Sequence, residues 1–204
     1  MIYLSRLLLN PRASQVQAEL RAPYEMHRTL AKAFGDGMGE FDAARCLFRV
    51  EPAQAQGIMV LVQSLAAPQW DHLTVSARYL LEAPVVKPFT PALLAGERLR
   101  FRLRANPTVK RAGKRLPLRD ETEQIAWLRR KGEQHGFTLV AVRLHAADTT
   151  CSRTTGGHQA TLEGITFDGV LRINDTTAFT AALQHGIGSG KGFGFGLLSV
   201  ARRC

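Results

Sequence analysis

Glu97–Pro107 reads ERLRFRLRANP. Arg98, Arg100, Arg102 and Arg104 alternate with Leu99, Phe101 and Leu103. An extended strand converts this period of two into two faces, one apolar and one lined with guanidinium groups. Like charges in a row repel, so the polar face either pairs with nearby carboxylates or receives a polyanion.

The elements that follow this strand set the fold. TVKRAGKRLP, residues 108–117, carries Lys110, Arg111, Lys114 and Arg115 around a glycine, and reads as a basic loop able to enter or straddle a nucleic-acid groove. A helix is expected over roughly Glu121–Gly132, holding Ile125, Trp127 and Leu128. Strands follow at Phe137–Leu144, Ala160–Phe167 and Gly169–Ile173. A helix capped by Asp175 runs to about Gln184, and a last strand covers Leu197–Val200. The first half has the same rhythm. Ile2–Leu9 is a strand, and Asn10-Pro11 opens a helical stretch to Phe34 that is interrupted at Pro23. Strands are expected at Ala44–Val50 and Ile58–Leu65, with another beginning at Tyr79–Leu81 and residues 68–78 as the second helix. The repeated strand–helix–strand–strand order predicts an α+β chain of two tandem ferredoxin-like (RRM-like) βαββαβ domains. Their expected spans are 1–90 and 91–204, divided in the proline-bearing segment Pro84–Pro91.

Charge gives the class of partner. The chain has 204 residues and a formal net charge of +10. Residues 1–95 hold nine basic and eight acidic side chains, whereas the remainder holds 18 and nine. Between Arg98 and Arg119 there are nine basic residues and no acid. Such a field captures polyanions, and nucleic acid is favoured over a membrane surface because no basic amphipathic helix is evident. No run of 18 apolar residues is present, so no membrane partner is expected. The start MIYLSRLLLN is too short for a secretory signal and shows no cleavage site. Cys46, Cys151 and Cys204 form no paired framework, and a cytoplasmic location is the expectation. The histidines show no zinc spacing, so neither a metal nor a small-molecule cofactor is expected.

The glycine-rich stretch GIGSGKGFGFGLL, Gly186–Leu198, is not a nucleotide loop. In a Walker register His185 replaces the first glycine and Gly192 replaces the hydroxyl residue that magnesium requires. Lys191–Phe195 matches the start of the RNP1 pattern, but at the chain end instead of on an interior strand. Two readings stay open: a loop that holds RNA, or a turn whose phenylalanines pack in a core.

Candidate chemistry lies in PYEMHRTLAKAF, Pro23–Phe34. Met26, Leu30, Ala33 and Phe34 form the core stripe of a helix, and Tyr24 and His27 are surface neighbours three residues apart. Arg28 and Lys32 add positive charge. A partly buried histidine moves protons near neutral pH, and a tyrosine and a cation stabilise developing charge. The same pattern also fits a plain helix edge.

Together, YLSRLLLNP, PYEMHRTLAKAF, LRFRLRANP, EQIAWL, FDGVLRIND and GIGSGKGFGFGLLS resemble the CasE family of CRISPR RNA-processing endoribonucleases of the type I-E system. The resemblance runs along essentially the whole chain and implies two ferredoxin-like domains. It implies metal-independent cleavage of the repeat hairpin in precursor CRISPR RNA. The ribose 2′-hydroxyl attacks to leave a 2′,3′-cyclic phosphate and a 5′-hydroxyl. The mature crRNA is retained, and the protein joins the other Cascade subunits. His27 matches the family's general acid–base histidine, Tyr24 its active-site tyrosine and Lys32 a supporting lysine. Gly188, Ser189, Gly190, Lys191 and Gly192 match its RNA-binding loop. RNA contact is further expected at Arg28, Arg98, Arg100, Arg102, Arg104, Lys110, Arg111, Lys114, Arg115 and, in TTCSRTTGGHQA, Arg153. The alternative is a structured-RNA-binding subunit without catalysis.

Overall fold

The backbone of β1, Ile2–Leu9, pairs on both sides, antiparallel to β3 (Ile58–Ser64) and to β4 (Val85–Phe89). In this computed structural model the described residues are 1–35, 43–52, 57–74, 78–153 and 159–202. The side chains of 146–153 and 159–161 lie outside the description. The chain divides into two units. One comprises Met1–Pro91, Cys151–Ala160 and Gly192–Gly194; the other comprises Ala92–Thr150, Thr161–Lys191 and Phe195–Cys204.

In the first unit β2 (Leu47–Val50) pairs with β3, giving the strand order β2-β3-β1-β4 of a βαββαβ sheet. Alternation sends Leu7 and Leu9 inward to meet Phe48, Val60, Met26 and Leu30 in one core. At about 2 kcal/mol for each large buried side chain, this cluster outweighs any single polar contact nearby. The break at Pro23 separates α1 (Ser14–Arg21) from α2 (Pro23–Ala31). Ala22 closes α1 by donating its N–H to the carbonyls of Ala18 and Glu19, and Pro23 occupies the first turn of α2, where no donor is needed. A 3₁₀ turn, Lys32–Phe34, ends at Gly35, whose φ of 96° suits glycine. The second helix of this unit, expected over 68–78, is described as α3 (Asp71–Thr74), with residues 75–77 outside the description.

Two buried acids are satisfied locally. The Glu19 carboxylate accepts from Tyr79 Oη, from Thr29 Oγ1 at 2.7 Å and from Gln15 Nε2 at 2.9 Å. Glu51 pairs with Arg49 at 2.6 Å with both side chains under 9% exposed. Such pairs hold only when nearly every polar atom is met.

Tyr79–Leu81 does not open a strand; Leu80 makes only an isolated bridge to Leu9. The fourth strand is Val85–Phe89, inside the stretch expected to be linker. Its Pro88 sits opposite Tyr3 on the outermost strand, the place in a sheet that tolerates a residue without an N–H.

The second unit repeats the plan with β5 (Arg98–Ala105), α4 (Glu121–Gln134), β8 (Phe137–Arg153), β9 (Gln159–Ile173), α5 (Thr176–His185) and β10 (Leu198–Arg202). Its strand order is β10-β5-β9-β8, again that of a ferredoxin-like sheet. Asp120 and Asp175 cap the two helices, each accepting backbone N–H bonds from the first turn. The basic loop is a hairpin of β6 (Thr108–Arg111) and β7 (Lys114–Pro117). Ala112 and Gly113, with φ of 48° and 77°, make its two-residue turn.

Phe167-Asp168-Gly169 is not the turn its sequence suggests, and β9 runs through it unbroken. Asp168 is held on the strand by Arg102 of β5, whose Nε and Nη2 donate to its two carboxylate oxygens at 2.7 Å each. Gly169 is needed for close approach: a Cβ there would lie 2.0 Å from the Ala141 carbonyl oxygen.

Candidate active site

In the first unit, α2 presents Tyr24 and His27 side by side, their ring centroids 6.0 Å apart. Met26 and Leu30, on the adjoining face, anchor the helix in the core. Phe48 of β2 lies behind the imidazole at 6.2 Å, and Phe193 packs on Tyr24 at 5.7 Å. Gly192 completes the surround: a Cβ there would lie 3.6 Å from His27 Cε1 and Nδ1. At the next glycine, Gly194, a Cβ would come 3.1 Å from Phe48, and its φ of 81° favours glycine. Burial pulls the His27 pKa below the ordinary imidazole value, because the charged form loses water. The ring is therefore neutral at neutral pH, the form that accepts a proton.

The two cations on this element are placed differently. Arg28 is exposed and forms an ion pair with Glu25 at 3.1 Å. Lys32 lies beyond the end of α2, in the 3₁₀ turn, so the angular offset of an ideal α-helix does not apply to it. It is exposed and forms no hydrogen bond or ion pair among the described residues.

In the second unit the alternation of β5 is realised: Leu99, Phe101 and Leu103 are buried and the arginines lie on the other face. Those arginines are not equivalent. Arg98 and Arg100 are exposed. Arg102 is bound to Asp168, whose pKa is lowered first by that hydrogen bond and further by the charges of Arg102 and His145. His145 Nε2 lies 2.9 Å from Asp168 Oδ2. Arg104 lies over the ring of Phe195 at 4.6 Å. Carboxylate partners and anion capacity thus coexist on one strand. On the hairpin, Lys110, Lys114 and Arg115 are exposed, and Arg111 is 3.6 Å from Glu123.

The glycine-rich loop is not an RNP1 strand. Lys191–Phe193 forms a 3₁₀ turn, and Phe195 is fully buried. Gly188 and Gly190 adopt φ of 86° and 81°, and Ser189 and Lys191 are half-buried beside them. Cys46 is a core residue, 5% exposed, its thiol pushed up to about 12 by burial. Arg153 ends β8, and its side chain lies outside the described residues, as does most of TTCSRTTGGHQA. Among the described residues no three His, Cys, Asp or Glu side chains converge as metal ligands. The site neighbours the sequence did not single out are Phe48, Asp168 and His145. Only the apolar run around Phe48 in CLFRV carried a local signal, and the other two come from distant positions.

Two ferredoxin-like units, one bearing a ring-flanked imidazole and the other an arginine-faced strand and a basic hairpin, define a tandem α+β protein of the RRM-like class. The chain belongs to the CRISPR associated protein family, whose model matches residues 2–202. The CRISPR-associated endoribonuclease Cse3 of Thermus thermophilus is 39% identical, over 98% of this chain and 100% of its own length. The CRISPR system Cascade subunit CasE of Escherichia coli is 33% identical, over 98% and 99%. The solved structure of Thermus thermophilus Cse3 bound to an RNA representing a pre-cleavage complex superposes with a TM-score of 0.88, at 40% identity over 98% of each chain.

Proposed function

We propose that this chain is an endoribonuclease that binds the repeat stem-loop of precursor CRISPR RNA, cuts it without a metal ion, and stays on the mature crRNA as a Cascade subunit. Full-length similarity to Cse3 and CasE supports the reaction class and the assembly. The observation that carries the site is the neutral, ring-flanked imidazole of His27 with Tyr24 beside it and the Gly192 backbone against it.

In the reaction His27 takes the proton of the ribose 2′-hydroxyl as that oxygen attacks the adjacent phosphorus. The bond from phosphorus to the 5′-oxygen breaks, and the resulting imidazolium, made more acidic by burial, returns a proton to the leaving oxygen. A 2′,3′-cyclic phosphate and a 5′-hydroxyl result. Tyr24 orients the nucleophile, and Lys32 and Arg28 offset charge on the phosphorane. The arginine face at Arg98 and Arg100, the Lys110–Arg115 hairpin and the Gly188–Gly192 loop hold the RNA backbone, with Arg102 and Arg104 shaping that face. In this reading residues 1–90 carry the catalytic helix, 91–204 carry the RNA-binding surface, and the protein works in the cytoplasm.

The test is incubation of purified protein with its repeat RNA in excess EDTA, followed by identification of the ends. Wild type should yield a cyclic phosphate and a 5′-hydroxyl, and His27→Ala should bind the hairpin but leave it intact. Binding without cutting in the wild type would leave a structured-RNA-binding subunit. Equal cutting by both proteins would remove His27 from the mechanism.

A further inference from the structure

A hollow of about 550 Å³ opens in the second unit, lined by none of the β5 arginines. Lys110 and Arg115 reach it from the hairpin, Lys131 and His135 from the end of α4, and Lys191 from the glycine-rich loop. No carboxylate lines it. Among the described residues no acid pairs with Lys110, Arg115 or Lys131; Lys131 Nζ donates to Gln134 Oε1 at 2.9 Å. The field is strong enough to act on the pocket's own imidazole: burial and then Lys131 and Lys191 hold the His135 pKa below its usual value. Four cations and no acid describe an anion site.

Two features ask for more than an anion. The volume is in the range of pockets that hold whole small molecules and far exceeds a phosphate. The wall also contains Asn106, 5% exposed, whose buried Oδ1 finds no hydrogen-bond partner among the described residues. An unmet buried carbonyl costs about 1–3 kcal/mol, so it requires a reason. Beside it Trp127 offers an apolar edge, left open because residue 188 is glycine: a Cβ there would come 3.3 Å from the indole.

We propose that this hollow takes one unpaired nucleotide of the bound RNA, its phosphate held by Lys110, Arg115, Lys131 and Lys191 and its base read by the Asn106 amide beside Trp127. A paired base pays for unpairing and unstacking to enter such a pocket, whereas a splayed single-stranded one does not. Asn106 thereby becomes a specificity-determining residue and Lys131 an RNA ligand. The inference rests on the RNA-processing reading above and names a further part of its substrate that the protein grips.

The experiment is an abasic scan. Repeat RNA hairpins with unpaired flanks, each carrying one abasic unpaired position, are titrated by fluorescence anisotropy against wild type, Asn106→Ala and Lys131→Ala, alongside the bare stem. One abasic position should weaken wild-type binding about tenfold, equivalent to about 1.4 kcal/mol. It should cost Asn106→Ala nothing further, since the partner is already gone. Lys131→Ala should weaken the flanked RNA about tenfold and the bare stem less than twofold. The melting temperature of Asn106→Ala should not fall, because the group removed was unsatisfied. Additive losses at every position, equal losses on flanked and bare RNA, or a lower melting temperature with an unchanged abasic profile would each overturn the pocket. A wild type that cuts repeat RNA yet is indifferent to every unpaired base overturns the pocket alone. A wild type that neither binds nor cuts overturns the processing reading and the pocket with it.

Discussion

Replacing Gly192 by alanine separates the chemistry from the fold. Its φ is outside the left-handed region, and the added Cβ would sit 3.6 Å from His27 Cε1 and Nδ1 and 3.7 Å from Cγ, ordinary contact distances. No strain or overlap is introduced, and loss of glycine's freedom in the unfolded chain adds about 0.4–1 kcal/mol of stability. For a chain of this length the melting temperature should rise by roughly 1–4 °C. In the proposed reaction a ribose must come within about 3–3.5 Å of the imidazole, and the methyl would stand against that ring. Misplacement on the order of 1 Å costs about a hundredfold in rate, or about 2.7 kcal/mol. Single-turnover cleavage of saturating repeat RNA, with affinity and melting measured on the same preparation, checks this. Gly192→Ala should bind and fold like the wild type and cut about a hundred times more slowly. Cleavage within threefold of wild type would show that the reacting ribose approaches His27 from another side.

Further outcomes are expected. Because burial lowers the His27 pKa, the neutral base persists as pH falls past 6.5, and the single-turnover rate should decline only below that value. The same shift makes the unfolded chain bind a proton before the folded one, so stability should fall as pH drops from 6.5 toward the folded pKa, a slope that calorimetry should find reduced in His27→Ala, with the remainder due to His135. Arg100→Ala should lower the salt dependence of RNA binding by about one phosphate contact without changing the melting temperature, whereas Arg102→Ala should also destabilise by on the order of 1 kcal/mol, since its partly exposed pair with Asp168 is lost. Gly169→Ala should be destabilised by at least about 2–3 kcal/mol in denaturant titration, because a Cβ 2.0 Å from the Ala141 carbonyl forces β8 and β9 apart.

Features written in adjacent residues were legible in advance. The period of two in ERLRFRLR gave β5, and the aspartate at 175 gave the start of the last helix. The three-residue spacing of Tyr24 and His27 put their rings together before any tertiary contact was considered. What escaped depended on distant residues. Asp168-Gly169 looks like a turn until Arg102 binds the one and the Ala141 carbonyl crowds the other. Val85–Phe89 looks like a linker until β1 supplies a partner on which Pro88 is allowed. The glycine-rich loop announced itself by composition, but not that Phe195 would turn inward while Phe193 met Tyr24. Nor does any local rule say that Arg102 would be occupied and Arg100 left exposed.

Gly192–Gly194 belong with the unit formed by Met1–Pro91, although almost the entire intervening sequence separates them. During translation at about 5–20 residues per second, the histidine on α2 waits on the order of ten to thirty seconds for this cover to emerge. Until then a nascent or truncated N-terminal piece has Tyr24 without Phe193 and the imidazole without the backbone that lies against it. The surroundings of His27 are thereby completed only once the Gly192–Gly194 segment has been made.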